Sequence, residues 1–336
     1  MFRALSITLA GAVVLSVLAP TTKTHAAAPI GVPECRTTGS SASDGIFSTG
    51  LAASIPFEHG FARSAPAISA KAAVVVDGDT GRVLYGLNAY ERRRPASTTK
   101  IMTGIIAIEH GDLERTIVSD VDGSKMKGSS IMGLRPGVRI TARDLLYGLL
   151  LPSGNDAAVV LAENIDGTVP AFVDEMNRKA VELGMDDTHF ANPHGLDAAR
   201  HYSTAYDLAR LGRYAMANSE FATVAGTVDW HLGMPSDYDL HNGNSFLTTY
   251  PGADGVKIGW TERAGWTLVA SAVRDGHRLF VVVLDSTDRD ADAAALFDWA
   301  FASYNWTPLA DVTGALRLAQ RLGIGDALVR SLSICG

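Results

Sequence analysis

Three apolar segments near the C-terminal end, residues 255–260, 266–273 and 279–284, are of strand length, and Asp275-Gly276 between the last two is turn chemistry. An earlier pair, Ala72-Ala73-Val74-Val75-Val76-Asp77 and Arg82-Val83-Leu84-Tyr85-Gly86, flanks Gly78-Asp79-Thr80-Gly81 and reads as a hairpin. Between the two groups the pattern turns helical. A helix opens at Ser97 and stops near His110-Gly111, a glycine C-cap signal. Thr141-Ala142-Arg143-Asp144 is a capping box before Leu145-Leu146-Tyr147-Gly148-Leu149-Leu150-Leu151, and Pro152-Ser153-Gly154-Asn155 breaks that helix. Residues 156–163, 170–183 and 204–217 read as further helices, and 292–304 as a closing amphipathic one. This order predicts an α+β fold: one antiparallel sheet flanked by helices, with an inserted all-helical lobe over about residues 112–220.

The N-terminus speaks to location. Met1-Phe2-Arg3, an apolar run over 4–19 and Thr24-His25-Ala26-Ala27-Ala28 have the build of a secretory signal peptide. The run is shorter than the roughly 20 residues a spanning helix needs. The expected division is a signal peptide at 1–28, a loose Gly/Ser/Pro-rich leader at 29–70, a catalytic body at 71–304 and a tail at 305–336. The expected location is outside the cytoplasm, in a periplasm, cell envelope or extracellular space. An oxidising compartment permits a Cys35–Cys335 disulfide, with two free thiols the alternative. Leu316, Ala319 and Leu322 with Arg317 and Arg321 offer the tail a short amphipathic face for peripheral membrane contact, but Gly323 and Gly325 interrupt it and favour a helix packed on the body or a partly ordered end. The net charge of -7 argues against a nucleic-acid partner, and no His spacing suggests a metal site.

The chemistry begins at Ser97-Thr98-Thr99-Lys100. Positions three apart on a helix are neighbours, so a hydroxyl and an amine share one face. A serine needs a base to become a nucleophile, and a lysine serves only if burial or a second cation lowers its pKa. The apolar residues Ile101, Met102, Ile105 and Ile106 would supply that burial. Taken alone, the pattern also describes a serine N-cap beside a solvated lysine. Two further polar islands, Ser153-Gly154-Asn155 and Lys257-Ile258-Gly259, follow in order on a helix break and a strand.

Together the islands resemble the S-x-x-K, S-x-N and K-T-G triplet of penicillin-recognising serine enzymes. Residues 143–150 (Arg-Asp-Leu-Leu-Tyr-Gly-Leu-Leu), 192–197 (Asn-Pro-His-Gly-Leu-Asp) and 201–209 narrow the resemblance to the low-molecular-mass D-alanyl-D-alanine carboxypeptidases, serine peptidase family S11. The resemblance covers roughly residues 67–303 and implies a β-lactamase/transpeptidase-like fold. It further implies peptidoglycan stem peptides as substrate, β-lactam antibiotics as acylating inhibitors, and no cofactor. By the same resemblance, Ser97 is the nucleophile, Lys100 its base, Ser153 a proton relay and Asn155 a positioning amide. Lys257 and Arg289 are expected to face the substrate carboxylate, and the N–H groups of Ser97 and Trp260 to form an oxyanion hole. Gly259 is expected to let the substrate backbone lie against the strand. Arg289 alternatively reads as a surface residue of the acidic loop 285–292, and His194 and His201 as structural.

Ile258 departs from the family pattern, in which threonine offers a hydroxyl to the substrate carboxylate. Its presence implies weakened activity or a shifted substrate preference. Two rivals share these islands. A class A β-lactamase usually carries S-D-N and a loop glutamate in E-x-x-L-N; here Gly154 takes the middle position and no such motif follows Asn155. A non-catalytic peptidoglycan-binding relative would have little reason to keep Ser97, Lys100, Ser153, Asn155 and Lys257 together.

Overall fold

The computed structural model describes residues 54–58, 64–126, 128–233 and 236–308. The expected signal peptide and both cysteines lie outside them. In chain order the elements are β1 (Ser54–Glu58), β2 (Ala72–Asp77), β3 (Val83–Leu87), α1 (Lys100–Glu109), β4 (Thr116–Val118), β5 (Arg139–Thr141), α2 (Ala142–Leu150), α3 (Asn155–Asp166), α4 (Val169–Glu182) and α5 (Ala205–Met216). Then come α6 (Ser219–Gly226), β6 (Asp229–Leu232), β7 (Tyr238–His241), α7 (Phe246–Thr249), β8 (Ala253–Thr261), β9 (Gly265–Arg274), β10 (His277–Ser286), α8 (Arg289–Ser303) and β11 (Tyr304–Pro308).

The main sheet runs β3-β2-β10-β9-β8, every neighbour antiparallel. Its central strands read as unbroken apolar runs because both faces are covered. Val74, Val76, Val269, Phe280 and Val282 join Ile101, Ile105, Leu146, Leu208 and Phe221 on one face. Val75, Val281, Val283 and Leu268 join Phe246 and the α8 residues Leu296, Phe297 and Ala300 on the other. Phe172, Phe190, Phe221 and Phe297 are fully buried, and removing one such ring costs about 3–5 kcal/mol. Gly212 lets α5 lie close to the sheet, since a Cβ there would stand 2.8 Å from Val269 Cγ1.

Thr141, Thr168, Thr204 and Asn218 cap α2, α4, α5 and α6 by accepting backbone N–H bonds; the Thr141 cap was legible as a capping box, whereas α6 was not read from the sequence. Three features differ from the sequence reading. The insert is mainly helical but opens with a two-stranded ribbon, β4–β5, and a second, β6–β7, follows α6. The leader is not wholly loose: β1 pairs with β11, Ser54 opposite Pro308, so segments assigned to leader and tail meet. This pairing spans the whole body, and local pattern carries no trace of it. Finally, α8 begins at Arg289, not Asp292, because Asp288 accepts the Ala291 N–H at 3.1 Å as its cap. The Asp292 carboxylate inside that first turn accepts from Ser69 N–H, Ser69 Oγ, Ala70 N–H and Ser286 Oγ, tying the approach to β2 onto α8.

Candidate active site

Ser97 lies in a 3-10 turn, Ala96–Thr99, that runs directly into α1. The turn is strained: Ala96 has φ +50°, a region costly for a residue with a Cβ. Its neighbours hold it there. Thr98 Oγ1 and Thr267 Oγ1 both donate to the Pro95 carbonyl, at 2.6 and 3.1 Å. His201 Nδ1 accepts the Ala191 N–H, so its proton sits on Nε2, which donates to Thr99 Oγ1 at 2.9 Å. Burial lowers the His201 pKa to about 4, keeping it a neutral brace. Gly195 presses on the turn so closely that a Cβ would stand 1.9 Å from the Ala96 carbonyl oxygen.

Lys100 is fully buried, and its Nζ has three polar neighbours. Asn155 Oδ1 and the His194 carbonyl oxygen each lie 2.7 Å away, and Ser97 Oγ lies at 3.0 Å. Burial first, then the nearby charge of Lys257, hold its pKa well below the ordinary lysine value; Asp156 pulls the other way. A neutral amine has two N–H donors and one lone pair. Two carbonyl-type oxygens take the donors, which leaves the lone pair for the Ser97 hydroxyl.

Lys257 is also buried, 3.3 Å from the Ile258 carbonyl oxygen, and burial with the charge of Arg289 lowers its pKa to about 7. His194, whose carbonyl holds Lys100, is lowered to about 3 by burial and then by Lys100.

Ser153 stands at the α2–α3 break with φ +64° and a buried Oγ that has no hydrogen-bond partner among the described residues. Such an orphan hydroxyl is costly and marks a site where strain is retained. Glycine is required beside it: a Cβ on Gly154 would come within 2.8 Å of the Gly148 carbonyl oxygen and 2.9 Å of Asp156 Oδ1. The next acid, Asp156, is a clamp that the sequence reading missed. It is fully buried and accepts from the N–H groups of Met132, Gly133, Leu134 and Ala157 at 2.9–3.0 Å, drawing the loop before β5 against the start of α3. Its only sequence signal is its place after Asn155 at a helix start.

Gly259 sits where β8 crosses the Ser97 turn. A Cβ there would stand 2.6 Å from Ser97 N and 2.5 Å from Thr267 Oγ1. Its glycine is therefore demanded by the protein's own backbone, before any substrate is considered. Trp260, next along, is 52% exposed, with its ring 5.9 Å from Trp266. Arg289 lies over the opposite neighbour of that pair, its Cζ 4.4 Å from the Trp266 ring centre, with Nε on Asp290 and Nη1 buried without a partner. That is the first turn of α8, not a surface loop. Ile258 is half-buried and packs against the cluster containing Phe246.

Hydrogen bonds thus join Ser97, Lys100 and Asn155 directly, Gly259 lies against the Ser97 turn, the charge of Lys257 is felt at Lys100, and that of Arg289 at Lys257. Among the described residues no group of three or more His, Cys, Asp or Glu side chains could hold a metal ion.

A sheet flanked by helices, with a serine–lysine pair at the head of a buried helix, defines the class of penicillin-recognising serine enzymes. Within it, the family model of D-alanyl-D-alanine carboxypeptidases, peptidase S11, matches residues 59–288, and the chain belongs to this family. It is 40% identical over 250 residues to the D-alanyl-D-alanine carboxypeptidase DacF of Bacillus subtilis, covering 71% of this chain and 64% of that protein. It is also 40% identical to DacB2 of Mycobacterium tuberculosis over 68% of this chain and 81% of the relative. The chain thus spans just under two thirds of the DacF relative's length. Among solved structures, the Streptomyces K15 DD-transpeptidase superposes with a TM-score of 0.68 at 33% identity, covering 71% of this chain and all of that one. Penicillin-binding protein 6B of Escherichia coli gives 0.67 at 36% identity, covering 71% and 80%.

Proposed function

We propose that this chain is an exported serine-type D-Ala-D-Ala carboxypeptidase that removes the terminal D-alanine from peptidoglycan stem pentapeptides through an acyl-enzyme. The observation that carries the reading is the set of neighbours of Lys100 Nζ: two oxygens take its N–H groups, and its third neighbour is the Ser97 hydroxyl. Ser97 attacks the carbonyl between the two D-alanines and its proton passes to Lys100. The unpaired Ser153 hydroxyl is placed by sequence to carry that proton to the departing amine. The C–N bond breaks, free D-alanine leaves, and water then hydrolyses the Ser97 ester. The N–H groups of Ser97 and Trp260 hold the developing oxyanion. Lys257 and Arg289 hold the substrate carboxylate, a task suited to a planar guanidinium. β-Lactams enter the same cleft and acylate Ser97. Residues 1–28 direct export to the periplasm or cell envelope; no helix among the described residues is long and apolar enough to cross a membrane.

The test is mass spectrometry of the purified mature enzyme with a muropeptide pentapeptide. Loss of one D-alanine is expected; an unchanged pentapeptide would refute the reading. With penicillins, slow and lasting labelling is expected, whereas rapid nitrocefin turnover would favour a β-lactamase.

The pH profile follows from the two buried amines. Lys100 works neutral and its pKa is lowered, so acylation should rise with pH as it gives up its proton. Lys257 works charged with a pKa lowered to about 7, so KM for a carboxylate-bearing peptide should climb above that pH. A profile flat across pH 7 in both kcat and KM contradicts this division of labour.

Ile258→Thr adds a hydroxyl beside Lys257. One hydrogen bond to a charged group contributes about 1.5 kcal/mol or more, so D-alanine release should rise about tenfold. An unchanged rate would remove the carboxylate account of this position.

A further inference from the structure

Arg210 and Arg213 sit one helical turn apart on α5 and line a cavity of about 590 Å³ that shares no residue with the Ser97 cleft. The other walls are the β2–β3 turn (Gly78, Asp79), Leu183 after α4, and Tyr214, Met216, Arg278 and Phe280. Both guanidinium groups are fixed by neutral backbone oxygens. Arg213 Nε and Nη2 donate to the carbonyls of Gly78 and Asp79 at 2.7 and 2.8 Å. Arg210 Nη1 donates to the Gly184 carbonyl at 2.8 Å. A guanidinium has five N–H donors, so Arg213 keeps more than half of its own and Arg210 all but one.

Among the described residues no carboxylate lies within ion-pair reach of either. The third arginine of the wall, Arg278, is neutralised by a two-point contact with Asp254, and the Asp79 carboxylate lies 3.4 Å from His277 Nδ1. Arg210 Cζ also stands 5.7 Å from the Tyr206 ring centre and its charge is felt at Asp207, but among the described residues neither arginine is in an ion pair. In a chain of net charge -7 a cavity with two such oriented cations is an anion receptor in waiting.

We propose that this cavity binds a phosphate monoester: a dianionic head held between Arg210 and Arg213, with an apolar body against Leu183, Met216 and Phe280. Two positive charges outside any ion pair suit a dianion, fork-shaped donors suit phosphoryl oxygens, and the neighbouring walls are apolar. The site is independent of the proposed peptidase reaction, and the test keeps the two apart.

Isothermal titration with phenyl phosphate, above its second pKa of about 6, should show one saturable site. Inorganic phosphate, which lacks the apolar body, should bind more weakly at that site. Arg210→Gln with Arg213→Gln should weaken phenyl phosphate at least tenfold while penicillin labelling stays at the wild-type rate. Arg289→Gln should leave phosphate binding intact. Absence of saturable binding overturns the proposal. So does binding that survives the double substitution and is lost in Arg289→Gln, because the anion then sits in the catalytic cleft. Equal affinity for inorganic and phenyl phosphate overturns the apolar half. Arg210→Gln alone, at an exposed position, reads the same outcome should the double variant fail to fold.

Discussion

Lys100→Arg should slow acylation of Ser97 by about a thousandfold, within the range that a positioned general base contributes. Arginine carries a positive charge that it cannot give up in a protein, so it offers no lone pair to the serine proton. The site is also closed to it, since Lys100 is fully buried and its Nζ is held between Asn155 Oδ1 and the His194 carbonyl. Lys100→Met separates the two effects, being close in size, neutral and without a base. Its loss of rate should match that of arginine. Its stability should fall by about 1–3 kcal/mol, because two buried oxygens lose their donor. The measurement is the second-order rate constant for labelling by a fluorescent penicillin, alongside D-alanine release. A folded Lys100→Met protein that acylates within tenfold of wild type would end the lysine-base account.

Gly259→Ala should cost about a hundredfold to a thousandfold in acylation, the scale seen when one oxyanion donor is removed. The added methyl would meet Ser97 N at 2.6 Å, Thr267 Oγ1 at 2.5 Å and Ala96 Cβ at 3.0 Å. Real Cβ atoms do not approach backbone so closely, so β8 or the Ser97 turn must shift. The threonine hydroxyl can rotate away, but it then abandons the Pro95 carbonyl that helps hold the strained Ala96. Overpacking of this kind also costs about 1–3 kcal/mol of stability. Thermal unfolding and D-alanine kinetics together check the prediction: a modest fall in midpoint with kcat lost and KM little changed. Wild-type kcat would mean that Ser97 N takes no part in catalysis.

Much of this was legible in the chain because it is local. Short apolar runs, period-3.6 apolar patterns, the Thr141 cap and the Asp275-Gly276 turn each act within a few residues, so they can be read in place. The start of α8 was misplaced by three residues because Asp288 caps it ahead of the apolar repeat. The family motifs were equally local, and so Ser97, Lys100, Asn155 and Lys257 could be named before any coordinate.

What the sequence by itself determined was therefore the list of chemical groups and the elements that carry them. The tertiary structure alone decided their chemistry. The Lys100 amine, 55 residues from Asn155 and 94 from His194, has its pKa lowered only because folding buries it and brings the charge of Lys257 near it. The same holds for the Asp156 clamp, the Gly195 and Gly259 contacts, and the pairing of β1 with β11. The physical reason is that desolvation and electrostatic coupling depend on distance in space, and spacing along the chain encodes that distance only within a helical turn or a hairpin.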